Sequence, residues 1–202
     1  MIQQPFGIPI YVSDDTHPIE PEFIEYMEKL PKRPNDSANQ TSKGSYILEM
    51  PKFAQLKIFL QKEINRFFHT VLQVDDAIEI YITQSWLNFN RRYSSHHRHH
   101  HPNSVISGSF YFQGENVPIM FHRESSIFEH KMWDFPYKQI NDNNCSDLKI
   151  NNEIGKVVMF PSQLEHEVVV NPNPENRISL AFNTFVKGKL GQKESLTELK
   201  LE

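Results

Sequence analysis

Five of the ten histidines in this 202-residue chain fall between positions 96 and 101: His96, His97, His99, His100 and His101. Neutral imidazole is the commonest side-chain ligand for transition metals. Residues i and i+2 of a strand share a face, so on a strand His99 and His101 project together, with His100 opposite. Two imidazoles on one face are part of a metal site and call for a third donor. His166, in F-P-S-Q-L-E-H-E-V-V-V, stands where a loop enters a strand, a usual place for a functional side chain. A lone histidine there is more often structural, and what shifts the balance is Arg177 followed by Ser179. On a strand these two share a face. Together they make a carboxylate clamp, bidentate from the guanidinium with one further hydrogen bond. An arginine on a buried β face is costly without an anion to pair with.

The pair His97 and His99 offers the same spacing, but the distance from His101 to Ser107-Gly108 favours the later register. His96, His97 and His100 then read as solvated or supporting residues. Trp86 reads as core, and Cys145 as inert, since no base neighbours it in sequence.

The elements that must position these residues follow from periodicity. Phe6 to Val12 is a short apolar stretch with Pro9 inside it, which suggests an edge strand. Pro21 to Leu30 carries Phe23, Ile24, Met27 and Leu30 at helical spacing, and Pro31 closes it. Residues 32–45 are polar and rich in breakers, which predicts a loop. Pro51 suits the first turn of a second helix. Its apolar stripe runs Phe53, Leu56, Leu60, Ile64, Phe67 and Val71, the pattern of a helix packed on a sheet.

From Ile78 the period changes to two. Strands are expected at 78–90, 105–112, 118–121, 156–161, 167–170 and 177–185, with residues 122–153 irregular, an insertion of a length that often covers a binding site. Two helices followed by short strands at turn-rich spacing predict a mainly β fold, a sandwich or barrel braced by helices. The expected division is helical support over 1–77, a β core over 78–186 and a charged tail over 187–202.

Composition narrows the classes. Hydrophobic residues make up 38% and charged residues 23%, as in an ordinary globular domain. The net charge of −4 gives no basic footprint for nucleic acid. A single cysteine excludes an internal disulfide framework and fits a reducing compartment. No run of apolar residues is long enough to span a membrane, and no signal peptide is visible. A soluble, cytoplasmic protein is expected. Its partners would be a small-molecule or peptide substrate, with a homodimer allowed and neither nucleic acid nor membrane involved.

The spaced combination His99-x-His101, His166, Arg177-x-Ser179 resembles the iron(II) and 2-oxoglutarate dependent oxygenases. S-W-L-N at 85–88, H-x-H-P-N-S at 99–104, S-G-S-F-Y-F at 107–112, F-P-S-x-L-x-H at 160–166 and R-I-S-L-A-F-N at 177–183 resemble the branch of these oxygenases found in marine bacteria and their phages. The similarity covers residues 80–186. It implies a double-stranded β-helix, a jelly-roll barrel, with iron in its mouth. It also implies 2-oxoglutarate as cosubstrate, O₂ as oxidant, release of succinate and CO₂, and hydroxylation of a C–H bond.

In residues, it implies His99, His101 and His166 as iron ligands and Arg177 with Ser179 on the far carboxylate. Asn88 and Tyr111 would reach the keto acid end, and Arg123 and Trp133 would line the substrate entrance. One departure stands out, because most relatives use His-x-Asp or His-x-Glu where this chain has His101. Either three imidazoles bind the metal, or His101 stands behind and another residue completes the set; the first is preferred. The alternative is a cupin-type three-histidine metalloprotein. Gly155, Pro161 and His166 follow much of the second cupin motif, although Gln163 replaces its glycine and no glutamate follows His101 at the first motif's distance. Arg177-x-Ser179 separates the two readings, since a cupin has no need of the clamp.

Overall fold

The period-two stretches build two sheets and the longer-period stretches a helical cover, described for residues 7–122, 135–141 and 144–202 in a computed structural model. In chain order the elements begin with β1 (Tyr11–Val12), α1 (Pro21–Lys29), β2 (Lys32–Pro34), β3 (Gln40–Ser42) and α2 (Ala54–Asn65). There follow β4 (Glu79–Asn90), β5 (His96–His99), β6 (Ile106–Gln113), β7 (Ile119–His122) and β8 (Asp147–Ile150). The last are β9 (Val157–Pro161), β10 (His166–Val168), β11 (Arg177–Leu190) and β12 (Leu199–Leu201).

The larger sheet runs β1-β9-β6-β11-β4-β3-β2, with β12 paired to β11, and the smaller runs β5-β10-β7-β8. Neighbouring strands within both sheets are antiparallel. From β4 to β11 the chain crosses repeatedly between the two sheets, which winds them into the expected jelly-roll barrel.

The outer face of the larger sheet meets the helices. Leu56, Leu60 and Ile64 of α2, with Phe67 of the π-helical turn Arg66–Val71 that follows it, are buried against Leu87, Phe89, Phe110, Phe112, Ile178, Leu180 and Phe182. Burying each such side chain stabilises the fold by about 1.5–3 kcal/mol. Pro51 lies not in α2 itself but in a single 3₁₀ turn, Pro51–Phe53, that feeds it. Inside the barrel a smaller apolar cluster comprises Tyr111, Ile119, Phe121, Val158, Phe160 and Leu164, and its Ile119 and Phe160 border the polar end that holds the site.

Several expected boundaries differ. Residues 32–45, expected as a loop, supply the hairpin β2–β3, and β3 pairs with β4. Their polar side chains conceal pairing that is carried by the backbone. Residues 122–153 are not wholly irregular, because β8 pairs with β7. The final strand does not stop at Phe185 but continues to Leu190, where β12 folds back on it. The first 77 residues contribute three strands as well as two helices. No helix among the described residues is long and apolar enough to cross a membrane.

Candidate metal centre

The register of β11 sets the polar end of the barrel. Arg177 lies opposite Asn90, Ser179 opposite Asn88 and Ala181 opposite Trp86 on β4, while Ser179 faces Tyr111 on β6. The period of two therefore turns Arg177, Ser179, Trp86, Asn88, Asn90 and Tyr111 inward, and Leu87, Phe89, Ile178 and Leu180 outward to the helices.

On the smaller sheet, β10 pairs His166 with His99 and Val168 with His96, so two steps along β10 oppose three along β5. The extra residue is a β-bulge, which resets the facing of a strand. His96 therefore joins His99 on the barrel side, the two rings stacking 4.5 Å apart at 16°. A strict alternation would have put them on opposite faces; the sequence reads His96 as solvated or supporting, and the bulge brings it to the recess.

His101 lies just beyond the end of β5, not on it. Pro102 follows it and favours extended backbone at the preceding residue, and the His101 N–H donates to the Ser162 carbonyl (2.9 Å). The ring still reaches the others: it lies 4.9 Å from His99 and 5.1 Å from His166, and His99 lies 4.4 Å from His166, centre to centre. One nitrogen from each of His99, His101 and His166 falls within 4.8 Å of the other two.

The backbone fixes two of the three tautomers. His99 Nδ1 lies 2.8 Å from the His97 carbonyl and His166 Nδ1 2.9 Å from the Leu164 carbonyl, so each Nδ1–H donates and each Nε2 lone pair stays free. Burial, with help from neighbouring imidazoles, lowers the pKa of His101 to about 4 and of His166 to about 2. His99 is lowered by the same cause, and His96 falls to about 3. At neutral pH these rings are neutral, the form a metal requires.

Arg177 is fully buried, with 1% exposure. Its Nε donates to the Val117 carbonyl (3.2 Å) and its Nη1 to Ser179 Oγ (3.1 Å), with a long contact to Asn90 Oδ1 (3.5 Å). Nη2 has no partner, and the described contacts include no carboxylate. The Tyr111 ring lies 5.0 Å from the guanidinium carbon and its hydroxyl sits beside Ser109 and Arg177. Burial lowers the guanidinium pKa, Tyr111 opposing, and burial raises the Tyr111 pKa. Asn88 Oδ1 and Asn90 Nδ2 are also buried without partners.

A single recess joins these groups. The imidazoles of His99, His101 and His166 share it with Arg177, Ser179 and Asn88, and Ile119, Phe160 and Val168 form its apolar wall. Trp86, read from sequence as core, lines this recess and lies 5.7 Å from His101. The alternation that exposes Asn88 to the barrel also predicts Asn90 and Trp86 there; the sequence reading stopped short of using it. Arg123 and Trp133 lie outside the described residues.

Residues 84–183 match a family described as "Putative 2OG-Fe(II) oxygenase". No curated protein sequence matches the chain. Among solved structures, a 2OG-Fe(II) oxygenase family oxidoreductase from Burkholderia pseudomallei shares the fold at 14% identity, with 80% of this chain and 75% of that one covered and a TM-score of 0.55. A prolyl-4-hydroxylase from Pseudomonas putida does so at 11% identity over 87% and 92% of the two chains, TM-score 0.56. HygX from Streptomyces hygroscopicus, solved with nickel, 2-oxoglutarate and hygromycin B bound, is 13% identical over 88% and 82%, TM-score 0.56.

Proposed function

Residues 84–183 belong to the 2OG-Fe(II) oxygenase family, and from that premise we propose that the chain is an iron(II)- and 2-oxoglutarate-dependent dioxygenase that hydroxylates a peptide, amino acid or other small metabolite. His99, His101 and His166 hold the metal. Arg177, with Ser179, holds the far carboxylate of the cosubstrate, and Asn88 and Tyr111 reach its keto acid end.

The single observation that carries this reading is a buried guanidinium with a free Nη2, no carboxylate among its contacts, and a recess shared with three neutral imidazoles. An uncompensated buried cation costs several kcal/mol, and an incoming carboxylate removes that cost with a charge-assisted hydrogen bond. The unpartnered Asn88 oxygen and the Nε2 lone pairs fit the same ligand set. When bound, iron and the oxo acid supply O₂-dependent oxidation of a C–H bond, with release of succinate and CO₂.

The chain's own residues prepare that chemistry. The His97 and Leu164 carbonyls hold His99 and His166 in one tautomer and one ring orientation, so no reorganisation is needed on binding. Ile119, Phe160 and Val168 keep water from one side of the recess and strengthen the field of Arg177 within it. Ser179 accepts from Nη1 and keeps the guanidinium fork aimed. Trp86, beside His101, forms part of the wall that a substrate meets on the metal side.

The test is an anaerobic titration of the iron(II)-loaded protein with 2-oxoglutarate. The expected result is saturable binding with the visible charge-transfer band of a keto acid chelated to iron. An iron-loaded protein without affinity for 2-oxoglutarate would overturn the reading in favour of a cupin-type metalloprotein.

A further inference from the structure

The bulge in β5 creates a second cluster that the proposed centre does not use. His96, His97 and His99 each offer a nitrogen, and these atoms too lie within 4.8 Å of one another. The His96 and His99 rings stack, and the His97 ring lies 5.1 Å from each of them. His97 Nδ1 has no hydrogen-bond partner, and the Asp36 carboxylate stands 3.9 Å away. The His97 side chain is 40% exposed and Asp36 82%, whereas His166 of the inner triad is 5% exposed. The second cluster therefore sits at the rim of the recess and shares His99 with the inner triad.

From this we infer that His96, His97 and His99 form a rim site for a divalent transition metal, through which ions pass to the inner triad. Imidazole ligands favour borderline ions such as Ni²⁺, Zn²⁺ or Fe²⁺ over Mg²⁺ or Ca²⁺. The exposed Asp36 adds a negative charge that attracts a cation to the approach. Occupation of the two sites is exclusive. His99 Nδ1 donates to the His97 carbonyl, so Nε2 is its one available donor and cannot serve two ions. An ion at the rim moves inward by exchanging His96 and His97 for His101 and His166 while His99 stays bound, so it never returns fully to water. The inference rests on the inner triad being a metal centre.

The test uses NiCl₂ as probe, with binding measured by equilibrium dialysis and metal analysis. The variant His101→Ala/His166→Ala removes two inner ligands and leaves the rim intact; it is expected to bind one equivalent of Ni²⁺. Adding His97→Ala should weaken that binding by about tenfold or more, at least the loss usual for a ligand's supporting partner. Equal affinity in the two variants would overturn the rim site while leaving the inner triad untouched. Wild-type protein binding no more tightly than the double variant would instead overturn the inner triad and leave the rim site standing.

A second measurement does not depend on the multiple variants folding. In His97→Ala alone, Ni²⁺ should reach the same final occupancy as in wild type but about tenfold more slowly, followed by quenching of tryptophan fluorescence, Trp86 lying 5.7 Å from His101. Identical uptake rates would refute the passage of ions through the rim.

Discussion

Replacing Arg177 by methionine separates a functional cation from a structural one, because the two roles predict opposite outcomes. Methionine keeps much of the volume and removes the charge. In the fold, the guanidinium donates to the Val117 carbonyl and Ser179 and leaves Nη2 without a partner. Losing two such hydrogen bonds from a charged donor costs about 3–6 kcal/mol in total, while removing an uncompensated buried charge returns several kcal/mol. The ligand-free variant should therefore unfold within about 2 kcal/mol of wild type.

Binding changes far more. Taking one partner from a buried charge pair costs about 3–5 kcal/mol, which at about 1.4 kcal/mol per tenfold weakens 2-oxoglutarate binding by about a hundredfold to several thousandfold. Chemical denaturation with and without cosubstrate, on metal-loaded anaerobic protein, reads both quantities at once. Cosubstrate at 100 times the wild-type Kd should stabilise wild type by about 2.7 kcal/mol and Arg177→Met by almost nothing. Undiminished stabilisation of the variant would show that the carboxylate is held elsewhere. A loss of more than about 4 kcal/mol without ligand would show that the guanidinium is already paired within the fold.

His99→Ala and His166→Ala should each abolish iron retention on desalting, whereas His100→Ala, at an exposed position, should not; metal analysis decides. Gly114→Ala should impair the clamp from behind: Gly114 has φ of +88°, and an added Cβ would lie 2.6 Å from the Arg177 Cα. We expect a loss of about 1–3 kcal/mol in stability and weaker 2-oxoglutarate binding with iron retention intact; unchanged cosubstrate affinity would count against the coupling. Leu60→Ala, at the fully buried centre of the α2 stripe, should cost about 2–5 kcal/mol without changing the cosubstrate Kd of the folded protein. For pH, His96 and His101 titrate near 3 and 4 in the fold but near about 6.5 when unfolded. The unfolded state then binds more protons below about 6.5, so stability of the metal-free protein falls as pH drops from there towards 4; a flat urea midpoint between pH 7 and 5 would contradict it.

What the sequence discloses about this site depends on how regular the backbone is. Arg177 and Ser179 are legible because β11 is an unbroken strand through them, and the same alternation reaches Asn88, Asn90 and Trp86 across the register. His166 is legible because it opens a strand directly opposite His99. His96 is not, because a single bulge inverts the face of a residue without leaving any trace in composition. The hairpin β2–β3 escapes for a related reason: Lys32–Pro34 and Gln40–Ser42 show neither apolar alternation nor β-branched enrichment, and their pairing becomes favourable only once β4 supplies an edge. Helix α2 presents the opposite case, since its stripe needs only a greasy sheet face to pack on and its period alone fixes which side that is.

On the proposed reading, the unusual third histidine and the orphan arginine are two halves of one electrostatic arrangement. A carboxylate at position 101 would have offset one charge of a divalent metal and also lain in the same recess as Arg177. Three neutral imidazoles offset none. The recess therefore gathers the full charge of the metal and that of a buried guanidinium, in surroundings where burial already suppresses protonation of every histidine that lines it. Each cation raises the cost of holding the other until an anion arrives. A dicarboxylic oxo acid brings a negative charge to each end of the recess, so it neutralises both at once. Metal and cosubstrate then favour each other's binding, and by linkage the effect is reciprocal. The loss of the usual carboxylate thus weakens retention of the bare metal and shifts the stability of the centre onto the complete set of ligands.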